Sequence, residues 1–372
     1  MNQDWKNIVL VANTAWYLYN FRKETIKALL NDGYRVTCIA PGDEFSSKLK
    51  EIGAVVVELK QRQYGVNLLL EAVTILNLGL LFIKLKPALV FSFTTKGNIY
   101  SALLCRVLNI HLVANISGLG QKINKSGLFS KSLVLMYRYG LAKVKKVYFQ
   151  NNDDLKFFNL KKIALNAQKE VTYGSGVDLK RFNVTNNEHN KIRFVLISRL
   201  VEEKGIKLFL DAAKELVNRY ESITFTLVGP FISEKNYAIS PALVDSYLNE
   251  KIFYLGSVDN VHEIMRSFDC FVLPSYYNEG VPKSLLEASA SGLSIVTTNH
   301  RGCKETVIDG VNGFMVEPRD FKSLVEAIEK IINLTCDERK SMGVESRKLA
   351  EEKFDIEFII DSYLRTAKGV LN

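Results

Sequence analysis

Cys270-Phe271-Val272-Leu273-Pro274-Ser275-Tyr276-Tyr277-Asn278-Glu279-Gly280-Val281-Pro282-Lys283-Ser284-Leu285-Leu286-Glu287-Ala288 is the stretch on which the fold turns. Its first four residues are all apolar, too few for a helix, and stopped by a proline, so they read as a buried strand. Pro282 suits the first helical position, where its missing N–H is no loss, so a helix is expected to start there and run over 283–289. A strand without a polar face, followed at once by a helix, is the unit of a parallel sheet covered on both sides.

The same unit recurs outward in both directions. Upstream, β-branched runs at 8–12, 36–40, 55–59, 88–92, 111–116 and 147–150 alternate with helical periodicity at 22–30, 44–50, 68–84, 98–108, 131–142 and 153–158. Strands at 193–197, 224–228, 252–255, 270–273, 294–297 and 314–316 repeat the pattern with helices at 206–219, 242–249, 262–267, 283–289 and 321–332. Two doubly wound, Rossmann-like halves are expected, as 372 residues exceed what one core usually organises. Tyr173-Gly174-Ser175-Gly176-Val177-Asp178 and the polar run 183–191 read as hinge and linker, which places the boundary near 185. Helices at 337–352 and 355–368 belong to no strand–helix unit, and the last is expected to return to the first domain, giving domains 1–185 with 355–372 and 186–354.

Charge divides along the same line. Residues 1–185 carry 26 Lys+Arg against 12 Asp+Glu, whereas 186–372 carry 23 against 28. Within the basic half, 72–152 contains eleven basic residues and no acidic one, a run that must face something anionic or stand unusually exposed. Five scattered cysteines without a C-x-x-C pair indicate neither a disulfide framework nor a zinc site and suit a reducing cytoplasm. The N-terminal apolar run is too short for a secretory signal. Residues 66–85 are broken by Asn67, Glu71, Asn77 and Lys84, so a helix packed on a sheet or dipped into a bilayer surface is expected there rather than a membrane span.

Ligands of doubly wound sheets bind beyond the carboxyl ends of the strands. After the first strand stands Asn13-Thr14-Ala15-Trp16-Tyr17-Leu18-Tyr19-Asn20-Phe21-Arg22 in place of a G-x-G-x-x-G, which counts against a nicotinamide or flavin enzyme. After 270–273, Glu279 falls in the loop, the amides of 281–284 form an anion site at a helix N-terminus, and Glu287 lies inside the helix. Two carboxylates flanking an anion site accept hydrogen bonds from sugar hydroxyls, the layout of a nucleotide sugar. Two glutamates eight apart are common; the Gly-x-Pro helix start after a buried strand is what sets these apart. Lys204, at a helix N-terminus where a cation is disfavoured without an anion nearby, and Arg199 in the preceding turn supply the countercharge for a diphosphate. Left without a ligand, Lys204 is expected to face Glu202 or solvent, and Arg199 a neighbouring carboxylate.

Ser198-Arg199-Leu200-Val201-Glu202-Glu203-Lys204-Gly205, Leu227-Val228-Gly229-Pro230, the Glu279–Glu287 pair and Gly302-Cys303-Lys304-Glu305-Thr306-Val307-Ile308-Asp309-Gly310-Val311-Asn312-Gly313-Phe314 together resemble retaining glycosyltransferases of family 4 (group 1). The resemblance implies the GT-B fold, an α/β architecture of two Rossmann-like domains facing across a cleft. It implies that Arg199 and Lys204 neutralise a donor diphosphate, that Glu279, Gly280 and Val281 hold the sugar, and that Glu287 meets the ribose. Glu279, Arg199 and Lys204 are then the catalytic set, with a UDP-sugar as donor and no metal or other cofactor expected. Asn20, Arg22, Lys96, Asn98, Asn115, Ser117 and Gly118 follow strand ends in the first half and are expected to line the acceptor side. They resemble the branch that extends undecaprenyl-diphosphate-linked sugars in bacterial surface-glycan synthesis, including N-acetylgalactosaminyltransferases. Where many of that family carry a donor-contacting His near the fifth strand, this chain reads Asn115-Ile116-Ser117-Gly118, and His111 is expected at the surface or strand edge.

The basic run, with Lys143, Lys145 and Lys146 and the mixed stretch 121–131, suits an anionic membrane surface at the cytoplasmic face. A solvated face is the plainer alternative, and no nucleic-acid-binding motif is present. A UDP-sugar 2-epimerase of the same fold and a non-catalytic, membrane-docked nucleotide-binding partner are the competing functions.

Overall fold

The computed structural model describes residues 6–59, 67–120, 123, 127–184, 191–232 and 238–371. Among them the chain forms two parallel sheets, of seven and six strands. The first contains β1 (Asn7–Val11), β2 (Arg35–Ala40), β3 (Val55–Glu58), β4 (Leu89–Phe93), β5 (His111–Ile116), β6 (Lys146–Phe149) and β7 (Gln168–Val171), in the order β3-β2-β1-β4-β5-β6-β7. The second contains β8 (Ile192–Ile197), β9 (Ile223–Val228), β10 (Ile252–Tyr254), β11 (Cys270–Leu273), β12 (Ser294–Thr298) and β13 (Gly313–Val316), in the order β10-β9-β8-β11-β12-β13. Strand order reverses between β1 and β4 in one sheet and between β8 and β11 in the other. Ligands of such sheets bind outside the strand ends at that reversal.

Six helices cover the first sheet from within its own half: α1 (Ala15–Asn31), α2 (Phe45–Glu51), α3 (Leu68–Leu85), α4 (Thr95–Leu108), α5 (Leu128–Gly140) and α6 (Asn152–Leu160). Their apolar residues form two cores, because successive side chains of each strand point to opposite faces. One holds Leu78 and Phe82 of α3 with residues of α4, α5 and α6; the other holds Leu18 and Ile26 of α1 with residues of β1, β2 and β4. The second sheet is served by α7 (Ile206–Arg219), α8 (Pro241–Asp245), α9 (Val261–Met265), α10 (Lys283–Ala290), α11 (Phe321–Asn333) and α12 (Cys336–Lys353). A final helix, α13 (Ile356–Leu371), packs Ile359, Tyr363 and Ala367 into the second core of the first sheet. Tyr363 stacks on Tyr148 at 4.9 Å, whose hydroxyl donates to Ser362 O at 2.9 Å, and Lys368 pairs with Asp32 at 2.9 Å.

The chain divides into one compact unit of Met1–Gly176 with Ile356–Asn372 and a second of Val177–Asp355. The division falls before the 185 expected from composition. Arg347 of α12 donates to Leu179 O at 3.3 Å and to Phe182 O, which binds the stretch between the expected hinge and linker to the second unit. Two other expectations are corrected. Helix α1 begins at Ala15 rather than 22, because Thr14 accepts the Tyr17 amide as its N-cap. β7 was not foreseen: Gln168-Lys169-Glu170-Val171 is polar, as an edge strand can be. Cys38, Cys105, Cys270 and Cys303 are buried free thiols and Cys336 is exposed. Among the described residues no group of His, Cys, Asp and Glu could hold a metal, and no helix is long and apolar enough to cross a membrane.

Candidate active site

The loops after β8 and β11, either side of the strand-order reversal, lock together through backbone. Glu203 O accepts the Tyr276 amide at 2.9 Å and the Ser275 hydroxyl at 3.3 Å. Gly205, at φ +76°, ends the 3-10 turn Glu202–Lys204 and lies so close to the other loop that a Cβ there would stand 2.3 Å from Pro274 O. Only glycine, lacking a Cβ, accommodates both that left-handed backbone and that approach. The loop after β12 adds a third wall: Gly302, at φ +76°, leaves room for Gly280 O, which a Cβ would meet at 1.9 Å.

This scaffold brings Lys204 and Glu279 together. Lys204 Nζ donates to Glu279 Oε1, which also accepts from Ser275 Oγ at 3.5 Å. The Lys204 side chain is 9% exposed and that of Glu279 20%, so both ions have shed most of their water. Lys204 therefore pairs with Glu279, not with Glu202 or solvent. An isolated buried charge would cost several kcal/mol; the pair offsets that cost, and a ligand bearing negative charge and hydroxyls could replace each partner in turn. Cys303 is buried beside them. Burial pushes its thiol up to about 11, with Glu279 raising it further and Lys204 lowering it.

Arg199 stands exposed at the end of β8, and its charge reaches Glu203. Gly280 and Val281 are buried at the foot of α10. Pro282 is the N-cap of α10 rather than its first residue, and no side chain caps that end, leaving the N-terminal dipole to a ligand. Glu287 lies one turn in, at 12% exposure, 3.8 Å from Lys283. Burial raises its carboxyl above the ordinary range, against the opposing pull of Lys283 and Arg181. The loops thus gather Arg199, Lys204, Glu279, Gly280, Val281 and Glu287 within one unit. Sequence reading assigned no role to Gly205, Ser275, Gly302 or Cys303; glycines in the loops that follow β8 and β12 were the available signal for two of them.

The residues expected on the acceptor side divide. Asn98 accepts the Ser92 hydroxyl at 2.7 Å and donates to Asn115 O at 2.8 Å, while Asn115 Nδ2 donates to Tyr363 Oη at 2.8 Å. Arg22, 1% exposed, donates to Asn115 Oδ1 at 3.5 Å and lies 4.7 Å from the Phe93 ring centre. Arg22, Asn98 and Asn115 are therefore an internal polar chain that clamps α13 onto the sheet, which corrects the expectation that they line a surface. Lys96, in the first turn of α4, pairs with Glu71 at 2.6 Å. Asn20 lies on α1, donating to Trp16 O at 3.0 Å, while Ser117 and Gly118 follow β5 half-buried. His111 is the exposed first residue of β5.

Comparison with known proteins matches both halves of the chain. Residues 178–349 fit the family model of glycosyl transferases group 1, and residues 7–151 that of glycosyl transferase 4-like proteins. The N,N'-diacetylbacillosaminyl-diphospho-undecaprenol alpha-1,3-N-acetylgalactosaminyltransferase of Campylobacter jejuni is 26% identical over 95% of this chain and 96% of its own. The UDP-Gal:alpha-D-GlcNAc-diphosphoundecaprenol alpha-1,3-galactosyltransferase of Escherichia coli is 24% identical over 73% of this chain and 74% of its own. Among solved structures, HepE of Anabaena in complex with UDP-glucose shares the fold at a TM-score of 0.78 and 17% identity, covering 98% of this chain and 99% of that one. With the second sheet matched by the group 1 model and the first by the glycosyl transferase 4-like model, the chain is a glycosyltransferase of GT-B fold.

Proposed function

We propose that the enzyme moves a hexose or N-acetylhexosamine from a UDP-sugar to an undecaprenyl-diphosphate-linked sugar, with retention of anomeric configuration, in bacterial surface-glycan synthesis. The observation that carries this reading is the buried Lys204–Glu279 pair at the strand-order reversal of the second sheet. The names of the Campylobacter and Escherichia relatives support the acceptor, and the UDP-glucose complex of HepE supports the donor. The enzyme works at the cytoplasmic face of the membrane as a peripheral protein, since a polyprenyl-linked acceptor lies in the bilayer.

In this reading the diphosphate takes Lys204 from Glu279 and lies between Lys204, Arg199 and the N-terminus of α10. Glu279, released, accepts hydroxyls of the donor sugar beside the amides of Gly280 and Val281, and Glu287 accepts the ribose hydroxyls. The bond from the anomeric carbon to the diphosphate oxygen breaks as the acceptor hydroxyl oxygen bonds to the same face of that carbon. The hydroxyl proton passes to the departing diphosphate. Positive charge from Lys204, Arg199 and the helix end stabilises that leaving group, the part a metal plays in other transferases. Asn20, Lys96, Ser117 and Gly118 remain as acceptor contacts. Incubating the enzyme with a panel of UDP-sugars and extracted polyprenyl-linked glycans, followed by mass spectrometry and NMR of the new linkage, tests the reading. A product of added hexose or N-acetylhexosamine mass with the donor's anomeric configuration is expected; an inverted linkage, or UDP-sugar turnover without any acceptor, contradicts it.

A further inference from the structure

Helix α3 is apolar on both faces. Inward, Leu78 and Phe82 join the core shared with α4 and α5. Outward, Leu69, Val73, Leu76, Leu80 and Ile83 follow one another at alternating steps of four and three residues, which aligns them in a single row. They are 81, 52, 67, 65 and 58% exposed. The row runs about 20 Å along the helix. A surface helix ordinarily turns polar residues outward, and a contiguous apolar patch of this length marks an interaction site.

The charge around the row identifies the partner. Helices α3, α4 and α5 share one core and so cover the same face of the first sheet. Residues 72–152 contain no carboxylate, and Glu71, at the start of the helix, is buried and taken up by Lys96 and Tyr100. Lys84, Lys86, Lys131, Lys143 and Lys145 are exposed on this layer or at its edges, and α5 adds exposed Leu128 and Phe129. A second copy of this chain laid on the row would bring like charges together around it. A surface that is apolar in its interior and anionic at its boundary complements both features.

We propose that the α3 row enters the interfacial layer of an anionic lipid bilayer, with the flanking lysines against the headgroups. The choice of partner rests in part on the proposed lipid-linked acceptor; the row and its charges stand independently of it.

The test uses the full chain with Cys336→Ser, which removes the exposed thiol, and Leu80→Cys carrying an environment-sensitive fluorophore. Vesicles of phosphatidylglycerol and phosphatidylcholine should shift its emission to the blue and expose it to lipid-borne quenchers, whereas phosphatidylcholine alone should not. Leu76→Asn, Leu80→Asn and Ile83→Asn together should lower sedimentation with the anionic vesicles by about tenfold or more. An unchanged sedimentation, or a fluorophore still in water on vesicle-bound protein, overturns the proposal. So does a blue shift without vesicles that grows with protein concentration alongside a dimer mass in ultracentrifugation. Should the triple variant not fold, the fluorophore alone decides. Transfer to a short-chain, water-soluble acceptor separates the two readings: its absence in wild-type protein, with the vesicle-dependent shift intact, removes the proposed acceptor and supports the surface.

Discussion

The two units carry the same strand order and use their polar residues for opposite ends. At the reversal of the first sheet, Arg22, Asn98 and Asn115 are sealed beneath α13, bonded to one another and to Tyr363. At the reversal of the second, Lys204 and Glu279 pair across two loops, beside an uncapped helix end and a half-buried loop. A polar cluster at a topological switch point is therefore not by itself a site. What distinguishes the second is that its partners come from separate loops and can part without unfolding, whereas those of the first hold a helix to the sheet.

The largest effect that tests this contrast is on turnover. Lys204→Ala should lower transfer by about a hundredfold or more, as loss of a charge at a developing anion does elsewhere. Steady-state rates with the donor that gives product check this, and a variant within a fewfold of wild type would put the second cluster on a level with the first. Glu279→Ala should likewise lose transfer, yet its folding should depend on what becomes of the bared lysine; Glu279→Gln, which keeps an acceptor for Lys204, should fold better than the alanine variant while remaining slow.

Next in size comes the first unit. Asn115→Ala takes the amide donor from Tyr363 Oη and leaves Arg22 only its bond to Tyr17 Oη, and should cost about 1–3 kcal/mol in denaturant unfolding. UDP affinity should stay at the wild-type value. Loss of UDP binding in a folded Asn115→Ala protein would erase the distinction between the clusters.

The smallest effect has an opposite sign. Burial raises the Glu287 carboxyl above its value in the unfolded chain. The folded state then holds its proton to higher pH than the unfolded state does, so stability falls as pH rises from the ordinary carboxylate range through the raised value. Glu287→Gln removes that penalty and should raise the melting temperature by a few degrees at neutral pH, with little change at acid pH, while weakening donor binding. A melting temperature lowered equally at both pH values would mean the carboxylate is structural.

Much of this contrast lies beyond a single sequence. β11 and α7 were legible because an unbroken apolar run and a clean helical period have few other readings. So was the presence of Arg199, Lys204, Glu279 and Glu287 near strand ends. That Lys204 and Glu279 meet was not, since 75 positions separate them and only folding brings their loops together. Arg22 and Asn115 misled for the same reason: polar residues near strand ends read as surface, yet Asn115 lies within β5, and the group that packs over these two, Tyr363, is 248 positions from Asn115. The row on α3 shows the converse. Its leucines were visible as an apolar helix, but which of them face the core and which face outward follows only from the packing of α4 beside it.

Calorimetric titration of UDP into wild-type, Lys204→Ala and Glu279→Ala proteins tests the donor site most directly. Lys204→Ala should bind UDP about tenfold more weakly or worse, and Glu279→Ala should bind it as tightly as wild type or more so, having lost the rival for the lysine. Unchanged UDP affinity in folded Lys204→Ala protein would contradict the assignment of the pair as the donor site.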